Sequence, residues 1–377
     1  MNAFSPDPAL PEDLGFDEVP PSPSAPRLCP KSGRGADWNP KNRFEKLEYT
    51  PEPFDSLDPL ESPRPVLTQF FRDGSQSVLT RNQSPDVGFE VSLNPYRGCE
   101  HGCAYCYARP THEYLGWSSG LDFESRILVK EDAPDLLRKA LGSKRWKPEP
   151  IFLSSVTDCY QPIERRLLLT RRCLAVLAEF RNPVSMITKN HLITRDVDLL
   201  AELARDGAAS ASISITTLDP GLARVLEPRA STPGRRLAAV EELARAGVPV
   251  RVMVAPVIPG LTDHELPSIV AAAAQAGARE ACYVPIRLPW AVTDIFEHWL
   301  EAHYPGHKAK ILERIRDLRG GRLNDPHFGT RMRGQGIYAD TMRRMFTVAV
   351  RKAGLERGMA PLSSAAFRVP GEQLRLF

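Results

Sequence analysis

Apolar and polar positions along this chain alternate between two periods. Short runs dense in β-branched and apolar residues at 89–93, 151–155, 184–188, 211–217, 248–255 and 281–286 predict strands. Segments of helical period lie between them, at 163–180, 195–205, 233–246 and 263–276. In the first of these, Leu169, Cys173, Val176, Leu177 and Phe180 share one face. Gly247 and Gly277 stand where a helix must stop before the next strand begins. Strand alternating with helix implies parallel βαβ units. Six such strands predict an α/β fold, a partial (β/α)6 TIM-like barrel, with a flat doubly wound sheet as the alternative. Either architecture binds ligands at the carboxyl ends of its strands, so the loops after the strands are where chemistry is expected.

The pattern fails at both ends. Residues 1–65 hold 14 of the 35 prolines and show no apolar period, which predicts a Pro-rich flexible leader. After residue 290 the alternation stops and helix-like segments follow at 311–318 and 339–353. The expected organisation is therefore a leader over 1–65, a core over 86–290 and a helical basic C-terminal extension over 291–377. The extension is basic because residues 308–357 carry 13 Lys or Arg against 5 Asp or Glu. Arg331, Arg333, Arg343, Arg344, Arg351 and Lys352 could form a phosphate-binding face or a solvated helical one. The net charge of the whole chain, +3, does not by itself single out nucleic acid. No apolar run is long enough to span a bilayer, and the N-terminus lacks a secretory signal pattern, so a cytoplasmic location is the default expectation.

The seven cysteines supply the strongest chemical signal. An odd number in such a chain argues against a disulfide framework and for metal or redox chemistry. Cys99, Cys103 and Cys106 lie within eight residues, directly after the first core strand. Clustered thiolates on one loop suit an iron–sulfur cluster, and three protein ligands on four irons leave one metal position open for chemistry. Gly98 and Gly102 let the loop fold tightly. A zinc site completed by His101 is the competing, non-catalytic reading, although no second pair of cysteines accompanies it. Cys29, Cys159, Cys173 and Cys282 are scattered singly, so one cluster is expected.

The C-x3-C-x-aromatic-C run, with Tyr105 as the aromatic, resembles the signature of the radical S-adenosylmethionine (SAM) superfamily. Ser92-Leu93-Asn94-Pro95-Tyr96 before the loop, Ser155-Val156-Thr157-Asp158, and Val254-Ala255-Pro256-Val257-Ile258-Pro259-Gly260 resemble its spore photoproduct lyase-like branch. The resemblance spans about residues 86–290. It implies a 4Fe–4S cluster on Cys99, Cys103 and Cys106, SAM on the open iron, and an electron donor such as a flavodoxin or ferredoxin. The implied reaction is reductive cleavage of SAM to a 5′-deoxyadenosyl radical that abstracts hydrogen from a substrate, nucleic acid being one candidate. Radical modification of a protein or a small metabolite is the other enzymatic reading. One departure stands out: Ser155 occupies the place where the repair enzymes of this branch carry a hydrogen-donating cysteine.

The same resemblance nominates residues that contact the cofactor. Tyr105, Ser155, Thr157, Lys189, Ser212, Ser214, Pro256 and Ile258 are expected around SAM, Lys189 toward its carboxylate and 254–260 against its adenine. Ser212 and Ser214 alternate with Ile213 and Ile215, as a polar lumen and an apolar outside require. Asp158 and Cys159 are the expected catalytic pair on the substrate side. Glu227 and Arg229 read as an internal salt bridge or a substrate contact. Residues 285–290 read as a cap over the mouth, and Cys173 and Cys282 as core thiols.

Overall fold

The computed structural model describes residues 33–45, 66–355 and 358–371. It contains ten strands: β1 (Gln69–Arg72), β2 (Leu79–Arg81), β3 (Val91–Leu93), β4 (Tyr96–Arg97), β5 (Arg126–Val129), β6 (Ile151–Leu153), β7 (Val184–Thr188), β8 (Ala209–Ser214), β9 (Val250–Val257) and β10 (Glu280–Pro285). The main sheet has the order β10-β9-β8-β7-β6-β3-β2, and all its neighbours are parallel except β2 against β3. From β3 to β10 the strands stand in chain order without reversal. A doubly wound sheet must reverse, so this sheet winds one way only. Right-handed crossovers then place every connecting helix on the same face. This is the partial barrel: its parallel run goes from β3 to β10, β2 covers the outer side of β3, and β2 and β10 are the edges of the sheet.

Two faces follow from the pleat. Ala209, Ala211 and Ile213 of β8 pack in one core with Leu200 and Leu203 of the helix Val197–Arg205 and Val240 and Leu243 of the helix Pro233–Arg245. Ser210, Ser212 and Ser214 therefore face the inner side. The register continues that face sideways, Ser212 standing opposite Ile187 and Arg251, and Ser214 opposite Met253. Each fully buried Leu or Val on the outer face contributes ~1.5–3 kcal/mol. Gly247 and Gly277, at φ +84° and +92°, end their helices in the left-handed region, as expected.

The predicted helix over 163–180 is two helices, Glu164–Leu167 and Leu169–Phe180, broken at Leu168 with φ +52°. The break has a cause. The Glu164 carboxylate turns back to accept from Thr170 N, capping the second helix, while Tyr96 and Arg195 hold it from the other side.

The described parts of both ends pack against the barrel, and the segment after residue 290 is helical as expected. Most of the expected leader lies outside the described residues, Cys29 included, but residues 33–45 pack against the body of the protein, with Arg34, Asp37 and Asn42 buried. The segment after 290 shares cores with the barrel. Phe296, Trp299, Ile311 and Ile315, from the helices Val292–His303 and Pro305–Leu318, pack with Tyr105 and Ile258, while Met342 of the helix Gly336–Lys352 joins the sheet core. A second sheet, β1-β5-β4, was not expected from the sequence. Its strands are too short to show a period. Among the described residues no helix is long and apolar enough to cross a membrane.

Candidate active site

The cysteine loop leaves the carboxyl end of β3 through β4 and is pinned at nearly every residue. Cys99 N donates to Phe123 O, Glu100 N to the Gln161 amide oxygen and Ala104 N to Leu226 O, at 2.9–3.1 Å. Glu100 returns a carboxylate to Ile163 N at 2.8 Å. Behind the loop, Arg109 donates to Cys103 O at 3.0 Å and pairs with Glu124 at 2.7 Å, both side chains fully buried. The other bonds of Glu124 come from Gly35 N and Ala36 N at 3.0 and 2.8 Å, so the 33–45 segment clamps the back of the loop. Gly35 permits this approach. A Cβ there would stand 1.6 Å from Gly102 O.

The three thiols are free, with Cys99 and Cys103 buried and Cys106 half-buried. Burial pushes Cys103 up to about 12; the Glu227 carboxylate adds to the rise and the Lys189 ammonium opposes it. Burial also raises Cys99, helped by Asp158, Cys103 and Cys106, and it raises Cys106. Three thiols this close and this hard to ionise become thiolates together only when strong positive charge joins them, which a multi-metal cluster supplies. Among the described residues no three His, Cys, Asp or Glu side chains converge on one point as ligands of a single ion. Thiolates on a cluster each take a different iron and need no such convergence. The donor set therefore fits an iron–sulfur group.

The remaining expected residues separate into two groups. Lys189 stays at the site. Its Nζ lies 5.8 Å from the centre of the Tyr105 ring, and no carboxylate is within ion-pair distance of it among the described residues. Ser212 and Ser214 face the same inner side. Ile258 is buried against Cys103 and Tyr105, and Pro256 is half-buried beside it in β9. Ser155 and Thr157 instead shape their loop: Ser155 Oγ accepts from Asn94 at 2.9 Å, and Thr157 Oγ1 donates to Tyr96 O at 3.1 Å.

The expected catalytic pair is placed differently. Asp158 is occupied by Thr188 Oγ1 at 2.7 Å, Lys189 N at 2.8 Å and His101 Nδ1 at 3.3 Å. Burial works against its charge, but the His101 ring and these donors hold it at about 2. It ties the cysteine loop to the end of β7, a positioning role. Cys159 has no exposure and lies in the apolar core, its thiol raised well above the ordinary range by burial. In this structure the thiol packs among apolar side chains of the sheet core rather than opening to solvent beside Asp158.

Glu227 does form an internal bridge, but with Arg236 rather than Arg229. Arg229 reaches Glu100 at 3.5 Å. Glu227 also accepts from the Tyr105 and Thr216 hydroxyls, which anchors the aromatic of the cysteine loop. Asn94 was missed as a site residue. Its Oδ1 accepts from Val156 N and Thr157 N, so it stitches the carboxyl ends of β3 and β6 together. A polar residue ending a strand was the available signal. Tyr107, also missed, follows Cys106 directly and donates to Ser155 O at 2.7 Å.

Comparison with known proteins agrees with this geometry. The sequence pattern of the radical SAM superfamily matches residues 93–273. An uncharacterised protein of Mycobacterium tuberculosis is 37% identical over 232 residues, covering 61% of this chain and 67% of that one. A radical SAM Nalpha-GlyT isomerase of Pseudomonas phage M6 is 28% identical over 201 residues, 53% of this chain and 40% of that one. Among solved structures, a spore photoproduct lyase mutant with AdoMet and dinucleoside spore photoproduct bound superposes with a TM-score of 0.53. It is 16% identical and covers 75% of this chain and 79% of its own, so the likeness is one of fold.

Proposed function

We propose, from the premise that the chain belongs to the radical SAM superfamily, that Cys99, Cys103 and Cys106 hold its 4Fe–4S cluster and that the adjoining mouth binds SAM and a nucleic-acid substrate. When bound, these cofactors supply one-electron cleavage of SAM to a radical that abstracts hydrogen. A flavodoxin or ferredoxin is the class of donor proposed to deliver the electron. The observation that carries the reading is the placement of three neighbouring thiols at the carboxyl end of β3, the first parallel strand of the main sheet, beside the Lys189 ammonium, which has no carboxylate partner among the described residues.

The chain's own residues have separate tasks. Lys189 takes the carboxylate of SAM, since a half-buried ammonium with no carboxylate partner among the described residues is stabilised by an anion. Ser212 and Ser214 offer hydroxyls from the inner face of β8, and Ile258 with Pro256 forms an apolar wall for the adenine. Tyr105, held by Glu227 and Thr216, fixes the backbone between Cys103 and Cys106. Asp158, through His101, Thr188 and Lys189 N, keeps the cysteine loop and the lysine in register. A nucleic-acid substrate is supported by the dinucleoside bound in the structurally similar lyase, and the absence of a thiol at Ser155 points to an outcome other than that lyase's repair.

Anaerobic reconstitution tests the reading. About four irons per chain and dithionite-dependent formation of 5′-deoxyadenosine are expected. One tightly bound zinc with no cleavage of SAM overturns it.

A further inference from the structure

Every large aromatic side chain exposed among the described residues carries an arginine over its ring. Phe44, Tyr114 and Trp290, which are 54, 70 and 65% exposed, surround Arg43, whose guanidinium carbon is 4.7, 5.3 and 4.0 Å from the three ring centres. Arg287 stands 5.7 Å from the ring of Tyr107, and Arg331 stands 4.3 Å from that of Phe328. Most of these pairs gather at the carboxyl end of the sheet. Tyr107 and Tyr114 follow the cysteine loop, Arg287 and Trp290 follow β10, and Arg43 with Phe44 lies in the segment that clamps the loop. The third pair is joined on by Arg287, which donates to Met332 Sδ at 3.3 Å.

The three arginines are not equivalent. Arg43 is paired with Glu113 at 3.1 Å, and Arg331 is paired with Asp86. Arg287 has no carboxylate within ion-pair distance among the described residues, its Nε is buried without a partner, and the bond to Met332 ends on a weak sulfur acceptor. A half-buried guanidinium left in this state favours an anion. The rings beside it have one face covered by a cation and considerable area open, which suits a flat, electron-rich group.

We propose that this rim binds single-stranded nucleic acid, with a phosphate on Arg287 and unstacked bases on Trp290 and Tyr114. The proposal rests on the reading that the mouth is the active site, and deepens it. Two physical reasons favour a single strand over a duplex. Bases in a duplex already cover each other's faces and leave nothing for the rings to stack on. A hydrogen atom on a base is also reached only after that base leaves its stack.

The test uses the full chain, reconstituted with iron, and fluorescence anisotropy with a labelled oligothymidylate strand, the corresponding duplex and heparin as a polyanion without bases. The single strand is expected to bind more tightly than either. Trp290→Ala is expected to weaken single-strand binding roughly five- to 150-fold, with Trp290→Phe restoring most of it. Tyr114→Ala, at a still more exposed position, acts as the second variant. Arg287→Ala is expected to lower the slope of log affinity against log salt by about 1. Equal binding of heparin with no loss in Trp290→Ala, tighter binding of duplex, or no binding of the strand each overturns the rim. Cleavage of SAM by the unmodified chain is read separately. Cleavage without strand binding overturns only the rim, whereas strand binding without cleavage supports the rim and overturns the proposed function.

Discussion

Replacing Glu227 by Gln should loosen the anchor of Tyr105 and destabilise the whole chain. Glu227, Arg236 and Thr216 are all buried, and both carboxylate oxygens are in use, one by the Tyr105 and Thr216 hydroxyls and one by Arg236. Gln keeps one acceptor but turns an amide donor or a neutral oxygen toward Arg236, which is then buried without a counter-charge. Burial alone would raise the Glu227 carboxyl, but Arg236, Lys189 and the hydroxyl of Tyr105 outweigh it and hold the group at about 2, down from the ordinary 4.5. At about 1.4 kcal/mol per unit, that shift corresponds to roughly 3 kcal/mol of stability. Breaking one side of a buried ion pair costs about 3–5 kcal/mol, which agrees. At ~2–4 °C per kcal/mol, Tm should fall by about 6–20 °C.

The assay is thermal unfolding of the iron-free full chain, followed by circular dichroism. The carboxyl is lowered in the folded state, so its contribution is complete above the unfolded value near 4.5 and is lost as pH falls toward 2. The gap between the two proteins should be full at pH 7 and begin to close below about pH 5. A gap under about 2 °C at pH 7, or one that widens with acid, refutes the argument. Replacing both partners, Glu227→Leu with Arg236→Met, should recover much of the loss because no charge is then left buried.

Further outcomes follow from the same structure. Cys99→Ala, Cys103→Ala and Cys106→Ala should each abolish iron loading in anaerobic reconstitution, while Cys173→Ala keeps it; full iron in Cys103→Ala would break the ligand assignment. Gly35→Ala should lower both Tm and iron content, because its Cβ meets backbone at Gly102, whereas Gly74→Ala, with nothing within 4 Å, should stay within about 0.5 kcal/mol of the parent. Asp158→Asn retains shape but loses charge-assisted bonds to Thr188, Lys189 N and His101, so a loss of about 1.5–3 kcal/mol is expected in urea unfolding. An unchanged midpoint would show that those bonds carry no net stability.

The cysteine loop and the six parallel strands were legible because their signals are local. A β-branched run such as 184–188 needs only its own residues to read as a strand, and it is β7 residue for residue. The spacing of Cys99, Cys103 and Cys106 is likewise covalent information. The alternation of Ser212 and Ser214 with isoleucines carried the inner and outer faces of β8 for the same reason. What the pattern did not carry was partnership. Glu227 has an arginine two residues away and another nine residues away, and sequence distance favours the wrong one. Cys159, next to Asp158, looks equally near the site until the turn after β6 rotates it into the core.

The chain's local chemistry thus determined the strand and helix periods and the three thiols on one loop after β3, whereas the single winding direction came from the observed strand order. The tertiary structure decided which groups those thiols meet. Gly35 against Gly102, Arg109 with Glu124, Asn94 across to Thr157 and Arg43 beneath Trp290 join residues 15 to 247 positions apart. No periodicity encodes such pairs, because each depends on where two separately built elements come to rest against a shared core. The loop was visible in the sequence; its clamp, its buried anchor and the ring of arginine-backed aromatics around it required the fold.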